Sequence, residues 1–137
     1  MTNSIYDQWE TDAKVEEEGV ILDYGDAGQI RVRRAGGSNK RFLKAIERFS
    51  RKYKRQIDLG ILREDVAERE LVNAYAETVV IGGEIVGKDG KKVNLKGNKA
   101  AVVKLFKDLP ELFRDVRDQC GSIEAFRVLE REEEAKN

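Results

Sequence analysis

The chain has 137 residues, 40% hydrophobic and 38% charged, and its 26 basic residues equal its 26 acidic ones. This size suits one domain, residues 1–137, with a modest core. Zero net charge gives no overall attraction to nucleic acid or membranes. The chain has no histidine and one cysteine, which excludes His-dependent catalytic dyads, an intrachain disulfide and CxxC metal sites.

The sequence also lacks the patterns of membrane, secreted and cofactor-dependent proteins. No apolar run approaches bilayer length, and the opening MTNSIYDQWE lacks the basic and apolar regions of a signal peptide. We therefore expect a cytoplasmic location and no membrane partner. Because no paired carboxylates or metal-ligand spacings stand out, we also expect no enzymatic activity, no metal and no cofactor.

Residues 1–18 are polar and acidic, with Ile5, Trp9 and Ala13 at helical spacing. This pattern predicts a short N-terminal helix. Trp9, the only tryptophan, has two interpretations. It staples the helix to the core, as the burial habit of tryptophan favours, or it is an exposed anchor for a partner. We expect residues 1–18 and 130–137 to be mobile ends of the domain.

Two segments predict β-hairpins. Residues 19–37 alternate apolar and polar positions around a turn at Gly25–Gly28, and a second alternating stretch surrounds Asp89-Gly90. The GDAG turn lacks the P-loop and dinucleotide-binding patterns, so it predicts a turn and not a phosphate site.

The other segments have helical periodicity. A helix is expected over Lys40–Ile57, capped by Ser38 or Asn39, and a longer one over Glu64–Gly83, ended by Gly82-Gly83. Further short helices follow Asn98, Pro110 and Ser122. The predicted fold class is α+β, a mainly helical single domain with two short β-hairpins. The side chains predicted to form its core are Phe42, Phe49, Leu71, Tyr75, Phe106 and Phe113.

Charge is segregated along the chain. Eight acidic residues and one base lie within residues 7–26, whereas eleven bases and one acid, Glu47, lie within Arg31–Arg55. The basic cluster is either a nucleic-acid footprint or a solvated face neutralised by the acidic segment or by another subunit. The aromatic residues of this segment lie on the opposite helix face, which favours the second interpretation because single-strand binders need exposed stacking rings.

Several short signatures occur in a characteristic order along residues 8–120. They are Trp9, Asp12 and Gly19; Asp23-Tyr24-Gly25; Arg34-Ala35-Gly36 with Asn39, Arg41 and Phe42; Tyr75-Ala76-Glu77; Asp89-Gly90; and Leu109 to Asp115, LPELFRD. Taken together, they resemble the tail assembly chaperones of long-tailed bacteriophages. The chain departs from that pattern at Gly83, where an aromatic residue often precedes the glutamate.

The resemblance implies a non-enzymatic protein that binds the phage tape-measure protein, keeps it soluble and assists tail-tube subunits to assemble around it. It also implies absence from the mature virion and, with the charge blocks, self-association. Two alternatives stay open: a small nucleic-acid-binding regulatory protein using residues 31–55, and a structural head–tail component.

The residues that we expect to contact partners come from three parts of the chain. The exposed bases of the Lys40–Ile57 helix are expected to bind a partner without sequence-specific DNA recognition. Around Pro110, three large apolar side chains either form the lip of a client groove or pack on the central helix. The expected partner-binding residues are Trp9, Arg41, Arg48, Arg51, Arg55, Leu109, Leu112 and Phe113.

Overall fold

A four-stranded antiparallel sheet organises the computed structural model, which describes residues 4–122. The strands lie in the spatial order β1-β2-β3-β4. Their bounds are Val20–Asp23 for β1, Gly28–Val32 for β2, Val80–Val86 for β3 and Lys92–Asn94 for β4. A single turn of 3₁₀ helix, Gly25–Ala27, connects β1 to β2.

Helices make up most of the remaining described chain. They are α1 Ile5–Trp9, α2 Ala13–Glu18, α3 Lys40–Lys52, α4 Lys54–Asp58, α5 Glu64–Thr78, α6 Lys99–Asp108 and α7 Pro110–Gly121. The α+β class with a predominance of helix is therefore confirmed. Within residues 4–122 there is no helix with the length and apolarity to span a bilayer.

Both predicted hairpins are present, but they form one sheet. β1 pairs with β2 from Val20↔Val32 to Asp23↔Gln29, and β3 pairs with β4 across the Asp89-Gly90 turn. β2 also pairs with β3, which joins the two hairpins across the helices α3 to α5. Because this contact spans residues 33–79, local turn signals could not predict it.

Two glycines allow β2 and β3 to approach each other. Gly28 has φ +128° and Gly83 has φ +113°, both outside the region that L side chains favour. A Cβ at Gly28 would lie 2.3 Å from the carbonyl oxygen of Glu84, and one at Gly83 would lie 2.3 Å from that of Gln29. The expected role of Gly83 as part of a helix cap is therefore wrong, since Gly83 is needed for strand pairing.

The central helix is shorter than expected. It ends at Thr78, and the following residues enter β3, so the predicted helix over Glu64–Gly83 is wrong beyond Thr78. The Thr78 hydroxyl donates to the Ala74 carbonyl, and the Asn39 side chain donates to the Thr78 carbonyl, 2.9 Å away. These bonds satisfy the end of α5, while the β-branched residues that follow pair favourably with β2.

Two other predicted helices, the N-terminal one and the one over Lys40–Ile57, are each interrupted in the structure. The Lys40–Ile57 segment breaks at Tyr53 into α3 and α4. Residues 4–18 contain two helices, α1 and α2, and Asp12 is the N-cap of the second. The Tyr53 hydroxyl bonds the Glu70 carboxylate of α5, 3.2 Å away. The predicted cap at Asn39 is confirmed, because its side chain accepts from the Phe42 N–H. The expected helix after Ser122 and the expected mobile end 130–137 lie outside the described residues.

The core lies between one face of the sheet and the helices α3, α5, α6 and α7. Its aromatic rings form a continuous series, with centroid distances of 5.5 Å for Phe42–Tyr75, 5.3 Å for Tyr75–Phe113 and 4.9 Å for Phe106–Phe113. The prediction that these four residues are buried is confirmed. Leu71 and Phe49, which we also expected in the core, are only half-buried.

Cys120 is fully buried on α7. Burial, with a smaller contribution from Asp115, raises the pKa of its thiol to about 12. A thiol with that pKa remains protonated at neutral pH and is a poor nucleophile. Cys120 therefore acts as a small core side chain.

Candidate partner-binding surfaces

The acidic segment before β1 binds three arginines of its own chain. Arg34 Nη1 lies 3.1 Å from Glu16 Oε1. Arg33 Nε donates to the Glu17 carbonyl at 2.8 Å, and Arg31 Nη1 donates to that of Glu18 at 3.1 Å. These bases hold α2 against the sheet. For Arg34, the structure shows the neutralisation by the N-terminal acidic segment that the sequence left open. Arg31 and Arg33 bind backbone carbonyls of that segment and not its carboxylates.

The Arg34–Glu16 pair is the best shielded ion pair of the described residues, since the Glu16 side chain is only 8% exposed. Burial raises the pKa of Glu16, but hydrogen bonds from Thr11 and Arg34 outweigh that effect and lower it overall. Glu16 is therefore a carboxylate at neutral pH, and it depends on these two donors.

The bases of α3 and α4 face solvent. Arg41, Arg48, Arg51 and Arg55 are all exposed, as predicted. Their neighbours include ion pairs along the helices, Arg51–Glu47 and, at 2.8 Å, Lys54–Asp58. Because the Arg51 side chain is 72% exposed, its pair contributes little stability. This surface is thus available to a partner at small cost to the fold.

Glu77 stands among bases from two helices. Arg48 Nη2 and Lys99 Nζ lie 4.0 Å and 3.9 Å from Glu77 Oε2. Arg41 Nη2 also donates to the Glu77 carbonyl oxygen at 3.5 Å. One carboxylate at the end of α5 thus links the basic face of α3 to the start of α6, and the surrounding surface keeps an excess of positive charge.

A groove of about 280 Å³ lies beside this cluster, between α3 and α5. We call it the α3–α5 groove. Its more buried lining residues are Ala45, Phe49 and Ala74, and its more polar ones are Arg48, Lys52, Glu70, Asn73 and Glu77. A groove with an apolar floor and a charged rim is suited to bind an amphipathic helix. Sequence periodicity predicted α3 and α5 but gave no sign of the gap between them.

The structure separates the three apolar residues expected around Pro110. Phe113 is fully buried, with the Arg117 guanidinium 4.7 Å from the centre of its ring, so its assignment to a client groove is wrong. Leu112 is partly buried against the core, and Leu109 is half exposed. The reason is that α7 turns the side containing Phe113 and Val116 towards α5 and α6.

Trp9 is 58% exposed, so the interpretation that it staples an N-terminal helix to the core is wrong. It lies on α1, none of whose residues is buried. Ile5 and Tyr6 on the same helix are 64% and 71% exposed. These three side chains, Ile5, Tyr6 and Trp9, are called the α1 patch below.

A second exposed apolar group follows α4. Ile57, Leu59 and Ile61 are 41%, 61% and 64% exposed, and together they are called the α4 patch. Sequence periodicity missed this patch because it placed Ile57 at the end of a single long amphipathic helix. The signal for it was the run Ile57-x-Leu59-Gly60-Ile61, in which apolar residues flank a glycine stop with no strand or helix to bury them.

Several residues of the ordered signatures contact one another or cap helices in the fold. The Tyr24 hydroxyl donates to Asp115 Oδ2 at 2.7 Å, which joins Asp23-Tyr24-Gly25 to LPELFRD. The Asn39 amide donates to the Arg34 and Thr78 carbonyls, each at 2.9 Å. Asp12 caps α2. These residues define the architecture, whereas Trp9, Arg41 and Glu77 from the same set remain at the surface.

The described residues contain no grouping of three or more His, Cys, Asp or Glu side chains that could hold a metal ion. The surfaces described above consist of apolar patches, basic side chains and one groove. They offer the chemistry of protein recognition, with charged rims around apolar contacts.

The fold and these surfaces belong to a phage-derived α+β protein. The model of a family described as YdaY prophage protein matches residues 37–137, from just before α3 to the end of the chain. The chain belongs to this family of prophage proteins. Comparisons with curated proteins and with solved structures give no significant match.

Proposed function

We propose that this phage protein is a non-enzymatic tail assembly chaperone. It acts in the host cytoplasm, binds the tape-measure protein and assists tail-tube subunits to assemble around it, and it is absent from the mature virion. Membership of a prophage family supports the phage setting. The ordered signatures between Trp9 and Asp115, which resemble those of such chaperones, support the particular role.

The α3–α5 groove is the observation that carries this proposal. An amphipathic client helix would place its apolar side on Ala45, Phe49 and Ala74 and its charged side against the rim. The rim offers both signs of charge, with Arg48 and Lys52 on α3 and Glu70 and Glu77 on α5. That arrangement fixes the direction and register of a bound helix more than it adds raw affinity.

The positions of the aromatic rings support a protein partner over nucleic acid. Phe42 is buried, and Phe49 and Tyr53 are half-buried and contact each other, with ring centroids 5.4 Å apart. Base stacking needs rings that stand open to solvent among the bases. Phe49 lies in the lining of the α3–α5 groove and is half-buried there, so phosphate contacts by the exposed arginines of α3 would have no open ring for stacking beside them.

Co-expression tests the proposal. A helical fragment of the tape-measure protein from the same phage, insoluble when expressed alone, is expected to become soluble and to co-purify with this chain. Arg48→Glu combined with Lys52→Glu should abolish that rescue, because both changes reverse the charge of the groove rim. Lys40→Glu combined with Lys44→Glu is the matched control, since it also reverses two charges on the same helix, outside the groove lining.

Two results would contradict the proposal. An insoluble fragment in the presence of the wild-type chain would exclude the chaperone role. Equal rescue by the groove variant and by the Lys40→Glu, Lys44→Glu control would exclude the groove as the binding site. Detection of the chain in purified particles would favour the structural head–tail alternative, and strongly salt-dependent duplex binding lost on Arg→Ala changes would favour the nucleic-acid alternative.

A further inference from the structure

We propose that copies of this chain associate head to tail, with the α1 patch of one copy docked on the α4 patch of the next. The proposal goes beyond the chaperone function and needs no client. It rests on two exposed apolar groups in one chain, on the hydrogen bonds that order both, and on the opposite charges of the residues around them.

The α1 patch is presented by an ordered helix. Ser4 and Asp7 form a capping box, with the Asp7 N–H donating to Ser4 Oγ and the Ser4 N–H donating to Asp7 Oδ2, each at 3.1 Å. This fixes the first turn of the helix on which the exposed Ile5, Tyr6 and Trp9 lie. Tryptophan and tyrosine are the residues most enriched among the anchors of protein interfaces.

The α4 patch is also held by backbone hydrogen bonds. The Ile61 N–H donates to the Gln56 carbonyl at 2.9 Å, and the Gly60 N–H donates to the Ile57 carbonyl at 3.0 Å. With Gly60 at φ +68°, these bonds form a Schellman motif that ends α4. Leu59 and Ile61 therefore project from a fixed turn, so an incoming partner need not order them first.

The two patches carry opposite charge. Residues 4–12 around the α1 patch contain three acidic residues and no base. Residues 51–63 around the α4 patch contain five bases and one acid, Asp58. Ion pairs with Glu47, Glu70, Asp58 and Asp65 offset four of these bases, and the exposed Arg55 keeps the surface positive. Joining α1 to α1 would bring carboxylates together, and joining α4 to α4 would bring bases together. Only the heterologous contact, α1 on α4, combines apolar burial with charge complementarity.

Trp9 gives a direct measurement, because it is the only tryptophan in the chain. As the full chain is concentrated, its emission should move from that of an exposed indole to shorter wavelength, while sedimentation velocity shows growing oligomers. Ile61→Glu should abolish the emission shift and raise the dissociation constant (Kd) for self-association by roughly tenfold or more. Leu43→Glu is the matched control, since Leu43 is 48% exposed on α3 outside both patches.

Mixing two variants tests the head-to-tail geometry. Trp9→Glu removes only the α1 patch, and Ile61→Glu removes only the α4 patch, so each variant alone should remain monomeric. A mixture should form a one-to-one dimer, with α1 of the Ile61→Glu chain docked on α4 of the Trp9→Glu chain. Because these residues are exposed, both variants should keep the far-UV circular dichroism spectrum of the wild type.

Three outcomes would overturn the proposal: a wild-type chain that is monomeric at every concentration, variants that associate as the wild type does, or a mixture that forms no dimer. A blue-shifted Trp9 emission in a strict monomer, reversed by Ile61→Glu, would show that α1 docks within its own chain and would also overturn it. All of these measurements omit the tape-measure fragment and leave the groove untouched, so they succeed or fail separately from the chaperone test.

Discussion

The region around Tyr75 and the outer surface of α3 and α4 contain similar residues and use them in opposite ways. Around Tyr75, large apolar side chains are packed ring against ring, and the nearby Arg34–Glu16 pair is shielded from water. On the outer surface, isoleucine and leucine side chains project into solvent, and arginines such as Arg51 form exposed pairs.

The comparison shows that residue type does not decide whether a side chain supports the fold or a partner. Burial decides which of the two a side chain supports. A buried side chain is already removed from water by folding, whereas an exposed apolar side chain can still be removed from water when a partner binds. Substitutions at equivalent residue types in the two regions should therefore differ in their effect on stability.

The largest expected difference is between Phe113 and Ile61. Phe113→Ala should lower the free energy of unfolding by about 3–5 kcal/mol, because it leaves a cavity beside Tyr75 and Phe106. Ile61→Ala should change it by less than about 0.5 kcal/mol. Urea denaturation followed by circular dichroism, at a concentration where the chain is monomeric, measures both. Equal effects would mean that the two regions are not distinguished by burial.

The arginines should differ by a smaller amount. Arg34→Ala should cost about 1–3 kcal/mol, because it leaves the shielded Glu16 carboxylate without its charged donor. Arg51→Ala, on the exposed surface, should cost less than about 0.5 kcal/mol.

The same pair predicts a dependence on pH. Since the pKa of Glu16 is lowered in the folded state, the stabilisation from Arg34 should be present at neutral pH and should be lost as the pH falls through that folded pKa. Denaturation of wild type and Arg34→Ala at several pH values measures the difference between them. A difference that stays constant from neutral to strongly acidic pH would refute this account of Glu16.

The smallest expected effect concerns Tyr24. Burial and the adjacent Asp115 carboxylate raise the pKa of its hydroxyl, which therefore remains a donor at neutral pH. Tyr24→Phe removes this one hydrogen bond between β1 and α7 and should cost about 1 kcal/mol. Tyr6→Phe on the exposed α1 is the control and should be neutral. If the two variants melt alike, the link between these two signatures contributes nothing to stability.

Much of the fold follows from local patterns, and the failures have identifiable causes. Turn glycines predicted both hairpins, and apolar spacing predicted the cores of α3, α5, α6 and α7. The end of α5 was misplaced because Val79 to Gly83 fits a helical stripe as well as a strand. Only the pairing with β2, far away in the sequence, selects the strand.

The candidate surfaces were less predictable. The exposure of Arg41, Arg48, Arg51 and Arg55 followed from helical spacing, but the binding of Arg31, Arg33 and Arg34 to α2 depends on tertiary contacts. Charge counted along the sequence joined these two groups into one cluster. For Phe113 the sequence left both the core and the lip of a client groove open, since periodicity shows that a helix has an apolar side but not which neighbour covers it.

The pairing of β2 with β3 also bears on synthesis of the chain. The β1–β2 hairpin leaves the ribosome first, but the strand that completes it, β3, follows only after residues 33–79. At about 5–20 residues per second, that interval lasts roughly two to ten seconds. During that time Ile30 and Val32, which the finished sheet buries, are exposed on a nascent chain. A protein that we propose keeps another chain soluble thus itself passes through a stage at which it is vulnerable to aggregation.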